Sequence, residues 1–141
     1  MLKVLVFMPV LGALAVAGLP VRRAVWLWRL AMLFALAALG YSFWLAAGFD
    51  PAGPAIQFHE SRPWNVRLGS YFALGIDGIA LAMVLLTALL TLIAVLVSRR
   101  MEVGARLYFT LVLLLESAMF GVFTARDWSL FYVFWEATLL P

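Results

Sequence analysis

Residues 79–98 read IALAMVLLTALLTLIAVLVS, twenty residues without a charge, entered through Asp77-Gly78 and closed by Arg99-Arg100. A helix needs about twenty apolar residues to cross a hydrocarbon core about 30 Å thick. The flanking charges mark where water resumes, so this stretch predicts a membrane-spanning helix. Composition extends the prediction to the whole chain. Of its 141 residues 67% are hydrophobic and 12% charged, with a mean hydropathy of +1.08, outside the range of soluble globular domains. The expected fold class is all-α, a polytopic transmembrane helical bundle.

Working outward, apolar segments are expected at about 2–19, 24–47, 79–98, 107–124 and 128–141, the last incomplete, in a single membrane region 1–141. Pro9 lies inside the first, where it removes one backbone donor and favours a kink. Trp26 and Trp28 at one end of the second, with Tyr41, Phe43 and Trp44 near the other, resemble two aromatic belts. Arg29, little more than a turn inside, is long enough to snorkel back to the headgroups. The loop at about 48–70 carries Pro51, Gly53, Pro54, Pro63 and the lone His59, which predicts an irregular connection. Alternation of Trp64, Val66 and Leu68 with Asn65 and Arg67 predicts a short strand leading into the third segment. His59 has no second ligand in sight, so a solvated surface position is its expected role rather than a metal or proton relay.

Counting by alternating sides puts Arg22, Arg23, Arg29, Arg99, Arg100 and Arg106 on one side, and Lys3, Arg62, Arg67 and Arg126 on the other. The positive-inside rule then places the N-terminus and the 48–70 loop outside the cytoplasm, in a multi-pass protein of the cell inner (plasma) membrane. That orientation also argues against Lys3 and Ala15-Val16-Ala17 as parts of a cleaved signal peptide. The net charge of +3 collects at segment ends, so its expected partners are lipid headgroups, not nucleic acid. With no cysteine and one histidine, the chain cannot supply cysteine ligands to an iron–sulfur cluster or two histidines to a haem. No GxGxxG or GxxxxGK[ST] string is present.

Three carboxyls stand out. Glu136 lies in WSLFYVFWEATLLP (128–141), nine residues beyond Asp127. A carboxylate near mid-bilayer costs about 3 kcal/mol on insertion scales, which makes an ion or proton pathway the default expectation. Glu116 precedes Arg126 by ten residues, so across the turn between antiparallel helices the two glutamates sit about 15 and 13.5 Å deep. If both face the shared interface, charges 8–10 Å apart repel by about 2 kcal/mol at an effective dielectric near 20, enough to favour one shared proton. The plainer alternative for Glu136 is a structural ion pair or a bond to a backbone carbonyl. For Glu116 it is close helix packing beside Ser117 and Gly121. Asp77 is expected to cap the helix that starts at Gly78. Thr87 and Thr91 share one face of that helix, either touching a neighbour or bonding back to their own backbone.

The string LFYVFWEATLLP (130–141), preceded by FGVFTARD (120–127) and LGIDGI (74–79), resembles the M-type subunit of proton-pumping NADH:quinone oxidoreductase, respiratory complex I. The resemblance covers about residues 66–141, and more loosely FMPVLGA (7–13). It implies the N-terminal part of a roughly 14-helix antiporter-like fold. It also makes Glu136 the match to the family's fifth-helix proton-relay glutamate, which works with a lysine on a broken seventh helix. Glu116 matches no family motif, and its candidacy rests on depth. The resemblance implies NADH, flavin, iron–sulfur clusters and quinone on partner subunits, none bound by this chain, and antiporter-like membrane subunits as neighbours.

The expected function is therefore proton translocation coupled to electron transfer from NADH to quinone, by a subunit without a redox centre of its own. The alternatives are a subunit of a multisubunit sodium/proton antiporter, or a non-conducting membrane scaffold in which Glu136 is dispensable. Residues 128–141 would make a helix of about 21 Å, short of the core thickness, so the sequence is expected to be a piece of a longer one. Reconstituted alone in liposomes, the 141 residues are expected to give no pH-gradient-driven proton flux beyond empty vesicles. Robust flux abolished by Glu136→Gln would overturn that expectation.

Overall fold

The fold is described from a computed structural model covering residues 1–20, 24–65 and 69–140. Arg22, Arg23 and Arg67 of the charge count, Val66 and Leu68 of the expected strand, and Pro141 lie outside the described residues. Five helices follow in order: α1 (Leu2–Gly18), α2 (Ala24–Ala47), α3 (Gly78–Val97), α4 (Ala105–Thr124) and α5 (Trp128–Thr138). Two strands, β1 (Gln57–Asn65) and β2 (Ser70–Ile76), join α2 to α3.

Among the described residues three stretches are long and apolar enough to cross a membrane: α2, α3 with its terminal 3-10 turn through Arg100, and α4, at 24, 23 and 20 residues. α1 is a shorter apolar helix of 17 residues and α5 has 11. Exposed Leu33, Leu36, Leu86, Leu90 and Ile93 form the kind of apolar outer surface that lipid covers.

The helices pack around two apolar clusters stacked along the bundle. One, at the hairpin end, joins Leu5 and Val6 of α1, Leu45 of α2, Val84 of α3 and Phe120 of α4 with Leu74 and Ile76 of β2. The other, at the opposite end, joins Val16, Ala31, Val95, Phe109 and Leu113. Glycine allows close approach at two interfaces. A Cβ at Gly12 would lie 2.6 Å from the Phe34 ring, and one at Gly121 would lie 2.2 Å from the Phe134 ring. Pro9 is buried within α1 and leaves the Leu5 carbonyl without its usual helical donor. One residue away, Ser117 of α4 donates to the Val6 carbonyl at 2.6 Å, binding the two helices together.

The irregular connection expected over 48–70 is corrected by the structure. β1 and β2 form an antiparallel pair, with Glu60 opposite Leu74 and Arg62 opposite Phe72. The strand that leads into α3 is β2, while Trp64 and Asn65 belong to β1. β2 escapes an alternation test because Ala73 through Ile76 are all buried, roofed on one side and packed on the bundle end on the other. Pro63 is tolerated because β1 is an edge strand. On its other edge β2 pairs with the α4–α5 turn, where the Arg126 N–H donates to the Ala73 carbonyl at 2.8 Å.

At the opposite end, Arg106 donates to the carbonyls of Val16, Ala17 and Leu19 at 3.3, 2.8 and 2.7 Å. These are last-turn acceptors that α1 itself cannot satisfy. The Trp28 indole donates to the Val95 carbonyl at 2.9 Å, tying α2 to the end of α3.

Gly121→Ala is expected to destabilise the bundle by about 1–3 kcal/mol through overpacking against Phe134. Thermal unfolding in detergent measures this, and adding Phe134→Ala should recover part of the loss. Equal stability of Gly121→Ala and the parent would contradict the packing described.

Candidate functional site

The buried face of α4 runs through Phe109, Leu113, Glu116 and Phe120, a spacing of three and four residues that lines up one side of a helix. Leu113 belongs to one apolar cluster and Phe120 to the other, so Glu116 stands at the junction between them. It is 1% exposed. Neither Oε1 nor Oε2 has a hydrogen-bond partner among the described residues. The matching level of α3 carries Thr87 and Thr91, both buried, with Thr87 bonded back to the Met83 carbonyl at 2.8 Å. An ionised carboxylate in such a place costs several kcal/mol unless a proton, a water or a mobile counter-charge meets it.

Glu136 occupies a different environment. α5 starts at Asp127, whose Oδ1 accepts from the N–H groups of Ser129 and Leu130 at 3.0 and 3.2 Å. It is held to α4 through buried Leu130 and through Phe134 against Gly121. Glu136 lies two residues beyond Phe134, about 200° further round the helix, and is exposed. The structure therefore does not bring Glu116 and Glu136 to a shared interface: one points into the bundle and the other away from α4. Tyr132, one turn earlier, interacts with Glu136. Trp128 meets Phe131 edge-on, with ring centroids 6.2 Å apart, and Phe131 stacks on Trp135 at 5.9 Å. The outer face of α5 is thus aromatic with one carboxyl set in it.

Asp77 and Arg126 form a third group, at the hairpin end. Asp77 Oδ1 accepts from the Ala80 N–H at 2.8 Å, capping α3, and its Oδ2 pairs with Arg126 Nη2 at 2.7 Å. Arg126 Nε also donates to the Gly75 carbonyl at 3.3 Å. The Ala80 N–H, and after it the guanidinium, holds the Asp77 carboxyl below the usual carboxylate range. The capping residue is also an ion-pair partner, and sequence reasoning did not connect it to Arg126. The juxtaposition depends on β2 and the α4–α5 turn lying side by side. Asp127 extends the network, accepting from the Tyr71 N–H at 3.2 Å, while the Ser70 and Ser129 hydroxyls lie 2.9 Å apart.

Glu60 on β1 gathers the start of α1. It contacts the Met1 ammonium, accepts from the Leu2 N–H at 2.9 Å and lies 3.5 Å from Lys3 Nζ. Partial burial works against its ionised form, but these three donors outweigh it and hold its carboxyl below the usual range. His59, next to it, is exposed. Among the described residues no three His, Cys, Asp or Glu side chains cluster as a metal site would require.

No family profile matches the chain. Individual relatives do. NADH-quinone oxidoreductase subunit M of Rhodobacter capsulatus is 43% identical over 100 residues, 71% of this chain and 19% of that protein. NAD(P)H-quinone oxidoreductase chain 4 1 of Synechococcus sp. is 35% identical over 141 residues, 99% of this chain and 26% of the relative. F(420)H(2) dehydrogenase subunit M of Methanosarcina mazei is 36% identical over 110 residues, 77% of this chain and 22% of its own. Among solved structures, a chain of respiratory complex I from Thermus thermophilus with bound NADH matches with a TM-score of 0.80 and 34% identity. That match covers all of this chain and 27% of the other. The chain thus spans about a fifth to a quarter of the length of these relatives.

Because the folded pKa of Asp77 is lowered, its contribution to stability is fully present above the unfolded carboxyl's pKa, near 4, and is lost as pH falls through the lower folded value. Asp77→Ala is expected to cost about 1 kcal/mol at pH 7. Its deficit against the parent should shrink below about pH 3, where the parent's carboxyl is also protonated. Melting curves of both proteins from pH 7 to pH 2 provide the measurement; a pH-independent deficit would contradict it.

Proposed function

This chain is related to the M-type, antiporter-like membrane subunits of NADH-quinone oxidoreductase, and from that kinship we propose that it belongs to a proton-translocating subunit of such a complex. The redox reaction takes place on partner subunits, which carry NADH, flavin, iron–sulfur clusters and quinone; antiporter-like membrane subunits are its neighbours. The single observation that supports the reading best is Glu116, a carboxyl within a membrane-crossing helix, 1% exposed, with neither oxygen hydrogen-bonded among the described residues. Glu136 on the adjacent α5 is the second member of the relay.

In this reading the two glutamates work in series. Glu116 exchanges a proton inside the bundle, and Glu136 exchanges one on the face of α5 turned away from α4. Charge movement elsewhere in the complex alternately favours the protonated and ionised forms of each. Moving one charge against 100 mV costs about 2.3 kcal/mol, so the relay must pass protons without an open water column. The apolar clusters on either side of Glu116 suit that requirement, since neither offers a continuous polar path. The aromatic, exposed face of α5 suits a helix that is covered by further protein when the relay operates.

For orientation, the hairpin end lies outside the cytoplasm and the end carrying Arg99, Arg100 and Arg106 lies inside, following the positive-inside rule. The membrane is the cell's inner (plasma) membrane.

Glu136→Gln in the full-length subunit, assembled in its complex, is expected to lower NADH-driven proton pumping by about 10²-fold, the scale on which loss of a proton-transfer group is felt. Glu116→Gln, which removes the other member of the series, should also lower it. Pumping in inverted membrane vesicles, with assembly checked by native electrophoresis, provides the test. Unchanged pumping in an assembled Glu136→Gln complex would leave a scaffold, not a proton relay.

A further inference from the structure

Arg29 lies on α2, five residues after its first residue, Ala24. Its guanidinium sits over the Trp26 ring, 4.9 Å from the centroid. A guanidinium carries five N–H donors, and a ring face accepts no strong hydrogen bond from them, so this contact leaves donors for an anion. Among the described residues no carboxylate comes within ion-pair distance of it; the ion pairs found are at the hairpin end. The contrast with Arg126 is direct, since that guanidinium is already matched by Asp77 at 2.7 Å.

Below Arg29 runs a groove of about 270 Å³ lined by Leu19, Trp26, Leu27, Arg29, Leu30 and Leu33. Its wall is almost wholly apolar apart from the guanidinium. Leu19 is held in place as the far wall by the bond from Arg106 to its carbonyl. α2 has 24 residues, about 36 Å of helix against a core of about 30 Å, so its outer turns lie in the headgroup layer. Arg29 is then near the boundary between hydrocarbon and phosphate, where an arginine reaches outward for an anion.

We propose that this groove is a binding site for an anionic phospholipid, with the headgroup phosphate on Arg29 and one acyl chain lying along Leu30 and Leu33. Each half of the site supplies what one half of the lipid needs. The guanidinium offers parallel donors that fit a phosphate oxygen pair, and the leucine wall offers apolar surface to the chain. The N-terminal end of α2 adds a favourable dipole. Arg22 and Arg23 precede α2 in sequence. A zwitterionic lipid presents the same phosphate, but its ammonium group offsets part of the attraction.

The test is native mass spectrometry of the detergent-solubilised full-length subunit with equimolar phosphatidylglycerol and phosphatidylcholine. The expected preference for phosphatidylglycerol is about fivefold, the effect of one arginine beside an anionic headgroup. Arg29→Gln should bring the two lipids to parity, whereas Arg62→Gln, at the hairpin end, should leave the preference intact. Leu33→Trp, which keeps the charge and fills the groove, should reduce retention of phosphatidylglycerol; circular dichroism confirms that each variant keeps its helix content. Glycerol phosphate at matching concentration should not displace the lipid. Equal retention of both lipids by the parent, an equal loss from Arg29→Gln and Arg62→Gln, or displacement by glycerol phosphate would each overturn the proposal.

Discussion

A bilayer core offers no hydrogen-bond partner to a peptide group, and the rest of this structure follows from that constraint. Between its polar ends the chain is helical, and non-helical backbone is confined to the ends of the bundle. There, among the described residues, several of the freed groups find partners. Arg106 answers the last carbonyls of α1, Asp77 and Asp127 answer the first N–H groups of α3 and α5, and β2 is bracketed by β1 and the α4–α5 turn. The hairpin is therefore a lid on the bundle end, with Leu74 and Ile76 sealing the apolar cluster beneath it.

Charged groups divide along the same axis. At the hairpin end Asp77 and Arg126, and Glu60 with Lys3 and the chain start, are matched in pairs. Midway along the bundle Glu116 has no partner among the described residues. A paired charge at a polar end serves structure; an unpaired one between two apolar clusters is a liability unless a proton moves through it. That contrast, more than depth alone, distinguishes Glu116 from the other acids. Glu136 differs again, since its exposed aromatic surroundings are completed only by whatever covers α5.

Much of this arrangement is visible in the residues. The uninterrupted apolar run of α3 ends where charges appear, and its start is marked by an aspartate before a glycine. Gly121 announces close packing, though not its partner ring, Phe134; the contact of Gly12 with Phe34 emerges only from the structure. β2 was not legible as a strand, because burial on both faces erases the alternation that reveals a half-buried one. Nor was the Asp77–Arg126 pair, whose members are far apart in sequence and meet only because a strand and a turn lie alongside one another.

Sequence alone determined that the chain crosses a membrane and roughly where each helix begins, and it led to the expectation of two carboxyls at comparable depth. Those are properties of local composition and of the fixed rise of a helix, which need no knowledge of neighbours. Tertiary structure decided which way the carboxyls face: Glu116 inward to a buried junction, Glu136 away from α4. Depth follows from counting residues along an axis, but azimuth is set by the ridges of one helix fitting another, here Phe134 against Gly121. It is that rotation which separates the two glutamates.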